Sequence, residues 1–295
     1  MLALRILEIV FPIFAVVAFG LFWGRRHAPE METLNRLNIS LFVPCLMFSV
    51  LVSQPPVDTS YLALAAGVTL VMLGSGAVAW LTALPLGMGR RTLMPPSMFR
   101  NAGNLGLPLM VLAFGDRALP SAVIMFLVAN TLHFSLGIYL LDHRARIWKV
   151  LTTPIVLVNA LALTLNLIQF QVPKLILQPL DMLGQVAVPL MLFSLGVRLA
   201  RVDLEHWRQS LAALGLMLLT GLGVATLLLS LLPLDRTQQG VLFLFGILPP
   251  AVLNYLLAEY YDVEPEKVAS LVLLGNALAV LTIPLALAFA LPRFG

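Results

Sequence analysis

Runs of about 20 apolar residues, the length a helix needs to cross a bilayer, follow one another along this chain with short polar gaps between them. Ten are read: 5–24, 34–53, 60–82, 92–114, 118–141, 150–170, 178–200, 208–232, 236–260 and 267–291. Within each run the apolar positions are continuous rather than alternating, which excludes the strands of a membrane barrel. The pattern predicts an all-α integral membrane protein with ten transmembrane helices, and no gap is long enough for a soluble domain. Two runs stand apart. The fourth holds "FRNAGNLGLPLM" at 99–110 and the ninth holds "GILPPAVLN" at 246–254. Proline removes a backbone donor and collides with the preceding turn, and glycine loosens a helix. The hydrogen-bond ladders are expected to fail at Gly103, Gly106 and Pro108 in the fourth run, and at Gly246, Pro249 and Pro250 in the ninth. Backbone groups freed at membrane depth cost several kcal/mol each unless paired. Such breaks are expected where a hydrated binding site crosses the membrane.

The chain also resembles itself at an offset of about 145 residues. Pro12-Ile13 matches Pro154-Ile155, "VPCLMFS" at 43–49 matches "VPLMLFS" at 188–194, and Asn130 in "FLVANTL" matches Asn276 in "VLLGNAL". Each match is weak alone, but their order and spacing agree. The repeats, 1–141 and 150–295, hold five spans each. An odd number turns the second copy upside down relative to the first, the arrangement of many secondary transporters, whose substrate site lies where broken helices of the two halves meet. Spans four and nine are equivalent in this scheme, and both are interrupted.

Composition agrees. A chain 60% hydrophobic, 11% charged and of mean hydropathy +0.97 has too much apolar surface for one soluble core. Twelve of its eighteen basic residues fall in gaps after odd-numbered spans: Arg25, Arg26, Arg36, Arg90, Arg91, Arg144, Arg146, Lys149, Arg198, Arg201, Arg208 and Lys267. Gaps after even-numbered spans and the two termini hold Arg5, Arg117, Lys174, Arg236 and Arg293. The positive-inside rule makes the odd gaps cytoplasmic and puts both termini outside. The net charge of +4 and the pI near 9.6 therefore reflect topology, not affinity for nucleic acid. The first apolar run lacks a small-residue cleavage site and is read as a retained span. The single cysteine, Cys45, excludes an intramolecular disulfide and a multi-cysteine metal site, and reads as packing. The chain has no G-x-S-x-G elbow, H-E-x-x-H pair or acidic D-D-x-x-D cluster, so neither an intramembrane enzyme nor a metal or other cofactor is expected.

Three stretches, "NAGNLGLPL", "VPLMLFSLGV" and "ILPPAVLNYLLAEYYDVEPEKVASLVLLGNAL", resemble the auxin efflux carrier family of plant PIN-type exporters and bacterial malonate-type organic acid carriers. The resemblance runs nearly end to end. It implies two inverted five-helix repeats, a scaffold of spans 1, 2, 6 and 7, and a transport domain of spans 3–5 and 8–10 whose broken helices cross. It also implies a homodimer formed through the scaffold. By this likeness Asn101, seven residues before the crossing proline Pro108, contacts substrate, and Asn130 is the polar amide of the fifth span. Met47 stands where the plant proteins have a serine. Asn254 stands where the ninth-span crossing proline would be, leaving that break to Pro249 and Pro250.

Half-helix N-termini carry partial positive charge and unpaired N–H groups, which suits an anion at the crossing. A small organic anion is the expected substrate, with the bilayer of the cell inner membrane as surroundings. Asn101, Asn104 and Asn130 are placed as donors to its carboxylate, with Asn254 and Asn276 as further amides. Each of these can instead satisfy broken backbone or bridge helices. Arg100, read at the cytoplasmic approach to the broken span, either guides anions inward or snorkels to headgroups. His133, one turn after Asn130, either titrates during transport or bridges helices. Glu8, Asp181 and Glu259 lie near span ends, where solvent meets them. Neither broken stretch has a carboxylate near its centre, which disfavours cation coupling. About 100 mV, negative inside, is worth roughly 2.3 kcal/mol per charge, close to a fifty-fold gradient, so export of an anion is the natural direction. A sodium- or proton-coupled symporter is the alternative, and a ligand sensor without flux is a third reading.

Overall fold

The computed structural model describes residues 2–27, 29–53, 59–142, 154–200 and 206–295, and their regular elements are all helical. Seven helices among them are long and apolar enough to cross a membrane: Leu2–His27, Thr33–Ser53, Tyr61–Thr82, Asp116–Leu141, Lys174–Val197, Trp207–Leu231 and Pro265–Phe294. They fall on predicted spans 1, 2, 3, 5, 7, 8 and 10. Of the sixth, the described part is the helix Pro154–Leu167. Its predicted start at 150–153, the join expected between the two predicted repeats, and the basic residues Arg144, Arg146, Lys149 and Arg201 lie outside the described residues.

In chain order the helices are α1 (Leu2–His27), α2 (Glu32–Leu37), α3 (Val43–Ser53), α4 (Thr59–Thr82), α5 (Arg90–Met98), α6 (Leu107–Phe114), α7 (Leu119–Leu132) and α8 (Ile138–Leu141). There follow α9 (Pro154–Leu167), α10 (Lys174–Gly184), α11 (Ala187–Leu199), α12 (Trp207–Leu231), α13 (Arg236–Phe245), α14 (Leu253–Tyr260) and α15 (Pro265–Phe294). Wide π-helical turns at Asn38–Phe42, Ala102–Gly106 and His133–Gly137 join α2 to α3, lead into α6, and join α7 to α8. Local chemistry sets several ends. Asp235 caps α13 by accepting from the Gln238 amide at 2.8 Å, while Gln238 Oε1 accepts from the Asp235 N–H. Proline opens α6, α7 and α15, where a missing N–H costs nothing.

The halves exchange packing partners. α1 lies on α11 and α9 lies on α3. At the first contact the backbones touch: a Cβ on Gly196 would stand 2.0 Å from the Val17 carbonyl oxygen, and one on Gly20 2.1 Å from that of Phe193. Small residues allow this approach where lipid gives no hydrophobic drive to association. At the second, Asn166 Nδ2 donates to the Leu51 carbonyl at 2.9 Å. Phe11, Phe19, Leu175 and Leu285 point outward, which is unremarkable where the solvent is lipid.

One polar clasp ties the connection before α5 to the one before α15. The Glu264 carboxylate accepts from the Gly89 N–H at 3.2 Å, from Thr92 Oγ1 and from Lys267 Nζ. Gly89 is the N-cap of α5 and offers no side chain, so Glu264 supplies the missing cap from across the fold. Partial burial pushes this carboxyl up, but the bonds from Lys267, Thr92 and Gly89 outweigh it and hold the group below its ordinary 4.5. Its folded value is depressed, so the stabilisation is complete above 4.5 and fades as pH falls through the folded value. Glu264→Gln is expected to lower the melting temperature at neutral pH, and the gap to the parent protein should narrow below about pH 4.5. A gap that stayed constant from neutral to acid pH would argue against a charged cap.

Candidate functional site

The fourth span is severed at Phe99–Asn101, between α5 and the π-turn that starts at Ala102, and the ninth between Gly246 and Val252. The two breaks pair with each other. Asn101 donates its backbone N–H to Pro249 O at 2.7 Å, Ala251 donates to Phe99 O at 2.9 Å, and Arg100 faces Pro250 in an isolated antiparallel bridge. In this register Arg100 and Pro250 form the pair that exchanges no hydrogen bonds, so a proline is accommodated. The expected failure points shift accordingly. Gly103 and Gly106 lie within the π-turn, where the Gly106 N–H reaches Asn101 O at 2.9 Å, and Pro108 opens α6. The fourth ladder breaks one turn earlier, because the bridge draws residues 99–101 into extended pairing. Gly246 is the C-cap of α13, with Pro249 and Pro250 inside the second break.

Buried amides and one cation take up the remaining carbonyls. Asn276 Nδ2 donates to Pro250 O at 2.9 Å and Asn254 Nδ2 to Phe99 O at 2.8 Å. Arg100 is 3% exposed, and this corrects its expected place: it neither snorkels nor waits at an approach. Its guanidinium donates to Leu248 O at 3.0 Å, Met217 O at 3.0 Å and Ser75 Oγ at 3.2 Å. These acceptors belong to the ninth-span break, α12 and α4. Carbonyls just past the C-terminal end of α13 are the favourable place for a cation. The backbone released by the breaks is thus satisfied largely inside the protein, less by a wet cavity than the sequence suggested.

A cavity of about 130 Å³ opens beside the bridge. Of the predicted residues, the fold brings Arg100, Asn101, Gly103, Asn104 and Asn130 to its wall, together with His133. Asn101 Nδ2 donates to Asn276 Oδ1 at 2.7 Å, so Asn276 aims Asn101 from behind. Asn254 and Asn276 satisfy broken backbone, the second of the two roles open to them. Met47 is fully buried one turn beyond the lining residue Val43 and receives Asn159 Nδ2 on its sulfur at 3.5 Å. It packs under α9 and does not reach the cavity. The His133 ring stacks on Phe99 with centroids 4.3 Å apart and planes 6° apart. It also lies against the side chain of Asn254 on the ninth span, so it sits between helices, one of the two roles open to it.

Two polar lining residues were not foreseen. Asn35 and Asn38, from the start of the second span, complete the polar wall. Their signal was present as two amides one turn apart in an apolar run. All three π-turns contribute to the lining, through Asn38, through Ala102 to Asn104, and through His133 and Phe134; such turns recur at functional sites. The second halves of both broken spans begin at this cavity, one at Ala102 and the other at Leu253. Two helix N-termini, with their partial positive charge, therefore open onto one space.

Known proteins resemble this chain along most of its length. A family model described as "Membrane transport protein" matches residues 5–147 and 143–287. A protein of Rhizobium meliloti (strain 1021) named "Putative malonate transporter" is 24% identical over 311 aligned residues, covering 95% of this chain and 94% of that protein. The chain is a multi-pass membrane transporter rather than an enzyme. With the match running over nearly its whole length, it belongs to the Mem_trans family of membrane transport proteins, the auxin efflux carrier family.

Proposed function

We propose that this protein carries small organic anions of malonate's class across the cell inner membrane, by alternating access of a moving transport domain against a fixed scaffold. One observation carries the reading: both half-helix N-termini meet at a single amide-lined cavity, the arrangement that favours a carboxylate over a cation or a neutral solute. The relative named for malonate supports the substrate class. Ten spans in two inverted repeats fit the exchanged packing of α1 on α11 and α9 on α3. In this scheme spans 1, 2, 6 and 7 form the scaffold and a homodimer contact, spans 3–5 and 8–10 move, and both termini face outward. The carboxylate is held by amides and N–H dipoles, so transport needs no cation and the membrane potential drives export.

Proteoliposomes loaded with labelled malonate test this. Efflux should accelerate when a potassium-diffusion potential is set negative inside, and should ignore added sodium or proton gradients. Flux that followed either gradient but not the potential would establish the coupled symporter instead. Asn101→Ala removes both a cavity amide and the partner of Asn276. A hydrogen bond to a charged group is worth about 1.5–3 kcal/mol, so apparent affinity should fall by roughly 10- to 100-fold. Unchanged affinity and flux in that variant would take Asn101 out of the site.

A further inference from the structure

Phe99 precedes Asn101 by two residues in the segment that pairs with the ninth span. The ring of one and the amide of the other are therefore moved by the same stretch of backbone. Phe99 is held at both ends. Its ring is 1% exposed and stacks on His133, with centroids 4.3 Å apart and planes 6° apart. Gly137 makes room for both rings: a Cβ there would stand 2.9 Å from Phe99 Cε2 and 3.0 Å from His133 Cδ2. The Phe99 carbonyl accepts from the Ala251 N–H at 2.9 Å and from Asn254 Nδ2 at 2.8 Å. His133 lies against the Asn254 side chain as well. One buried imidazole on the fifth span thus meets both the ring of Phe99 and the amide that grips its carbonyl.

A binding group serves only if its neighbours hold it within about 0.5 Å of the productive geometry. Asn101 is aimed from behind by Asn276 Oδ1 at 2.7 Å, and its own N–H is tied to Pro249 O at 2.7 Å. On the side of α5 the segment is anchored by Phe99, whose N–H still reaches back to Pro95 O at 2.8 Å. None of these contacts requires the imidazole to touch a guest or to change its charge. We propose that His133 is a positioning residue for substrate binding: its flat ring, laid on Phe99 and against Asn254, sets the register in which Asn101 is presented to the cavity. It acts by shape, through Phe99, and not as a ligand. This inference rests on the organic-anion reading above and deepens it.

Purified full-length protein is titrated with malonate, and melting temperatures are taken on the same samples. His133→Leu keeps the bulk without the flat face, His133→Phe keeps the face without the nitrogens, and His133→Gln keeps a hydrogen-bonding group without the ring. The leucine and glutamine variants should weaken malonate binding by about fivefold or more, and the phenylalanine variant should stay within about twofold of the parent. The decisive measurement is a cycle with Asn101→Ala. In that background His133→Leu should change affinity by less than about twofold, because the group it positions is already gone. If the leucine variant fails to fold, the glutamine variant completes the same cycle. A merely structural histidine would weaken binding by the same factor in both backgrounds, alongside a lowered melting temperature. Equal factors, or rescue by glutamine and not by phenylalanine, overturn the positioning role and leave the organic-anion reading intact. Unchanged affinity in all three variants overturns it also. Parent protein that binds no malonate overturns the organic-anion reading and takes this assignment with it.

Discussion

Arg100→Gln is expected to unsettle the protein more than any other single change of similar size. Glutamine is too short to reach acceptors on three separate elements, so Leu248 O, Met217 O and Ser75 Oγ lose a charged donor together. An orphaned buried acceptor costs about 1–3 kcal/mol. Met217 O keeps Thr220 Oγ1 as a donor at 3.2 Å, so Leu248 O and Ser75 Oγ carry the loss; they share one donor and do not add independently, which puts the total at about 2–4 kcal/mol. The loss should appear as a markedly lower melting temperature in detergent and as loss of flux. Arg100→Lys keeps the charge but offers no fork to span the three acceptors, so it should recover part of the stability. A normal melting curve for Arg100→Gln would show that the guanidinium does not hold the two breaks together.

Gly221→Ala is the second large effect, and it has an internal control. A Cβ at Gly221 would stand 2.2 Å from both the Gly246 carbonyl oxygen and Arg100 Nη2. The oxygen belongs to backbone of the second break and cannot swing aside, so α12 must move away from the crossing. Overpacking of this kind costs about 1–3 kcal/mol and occasionally more; contact with both backbone and a buried charge puts this site at the upper end. Gly223, two residues on, has nothing within 4 Å of the same added atom. Gly223→Ala should be neutral or stabilising by up to about 1 kcal/mol, the helix preference of alanine over glycine. Equal melting temperatures for the two variants would mean that α12 tolerates displacement at the crossing.

Much of the site is legible in the sequence, and the parts that are not share a cause. "NAGNLGLP" and "GILPPAVLN" announce broken helices because glycine and proline act on their own backbone, whatever lies beside them. Asn101, Asn104 and Asn130 stand out because an amide in an apolar run needs a partner. Whether that partner is a guest or a carbonyl is not a local property. Asn254 and Asn276 have the same composition signal, yet their Nδ2 groups point at Phe99 O and Pro250 O, while Asn104 and Asn130 face the cavity. Met47 was singled out by likeness to a serine position, and one turn of helix carries it under α9 instead. Arg100 misled for the opposite reason: a lone arginine in an apolar segment usually reaches for headgroups, and only the carbonyls of two other spans make burial tolerable.

The sequence by itself determined that this chain is an all-helical membrane protein, where seven membrane-length helices run among the described residues, which two apolar stretches break, and that it transports rather than catalyses. Bilayer thickness acts on run length, and glycine and proline act within a turn, so both are readable along the chain. Tertiary structure alone decided that the breaks close on each other through a short antiparallel bridge, that Arg100 clamps them, and that Asn35 and Asn38 share a wall with Asn101. Those outcomes rest on hydrogen bonds between residues 148 and 175 positions apart. Which distant acceptor meets a given donor depends on how all the spans pack together, and no local pattern encodes it.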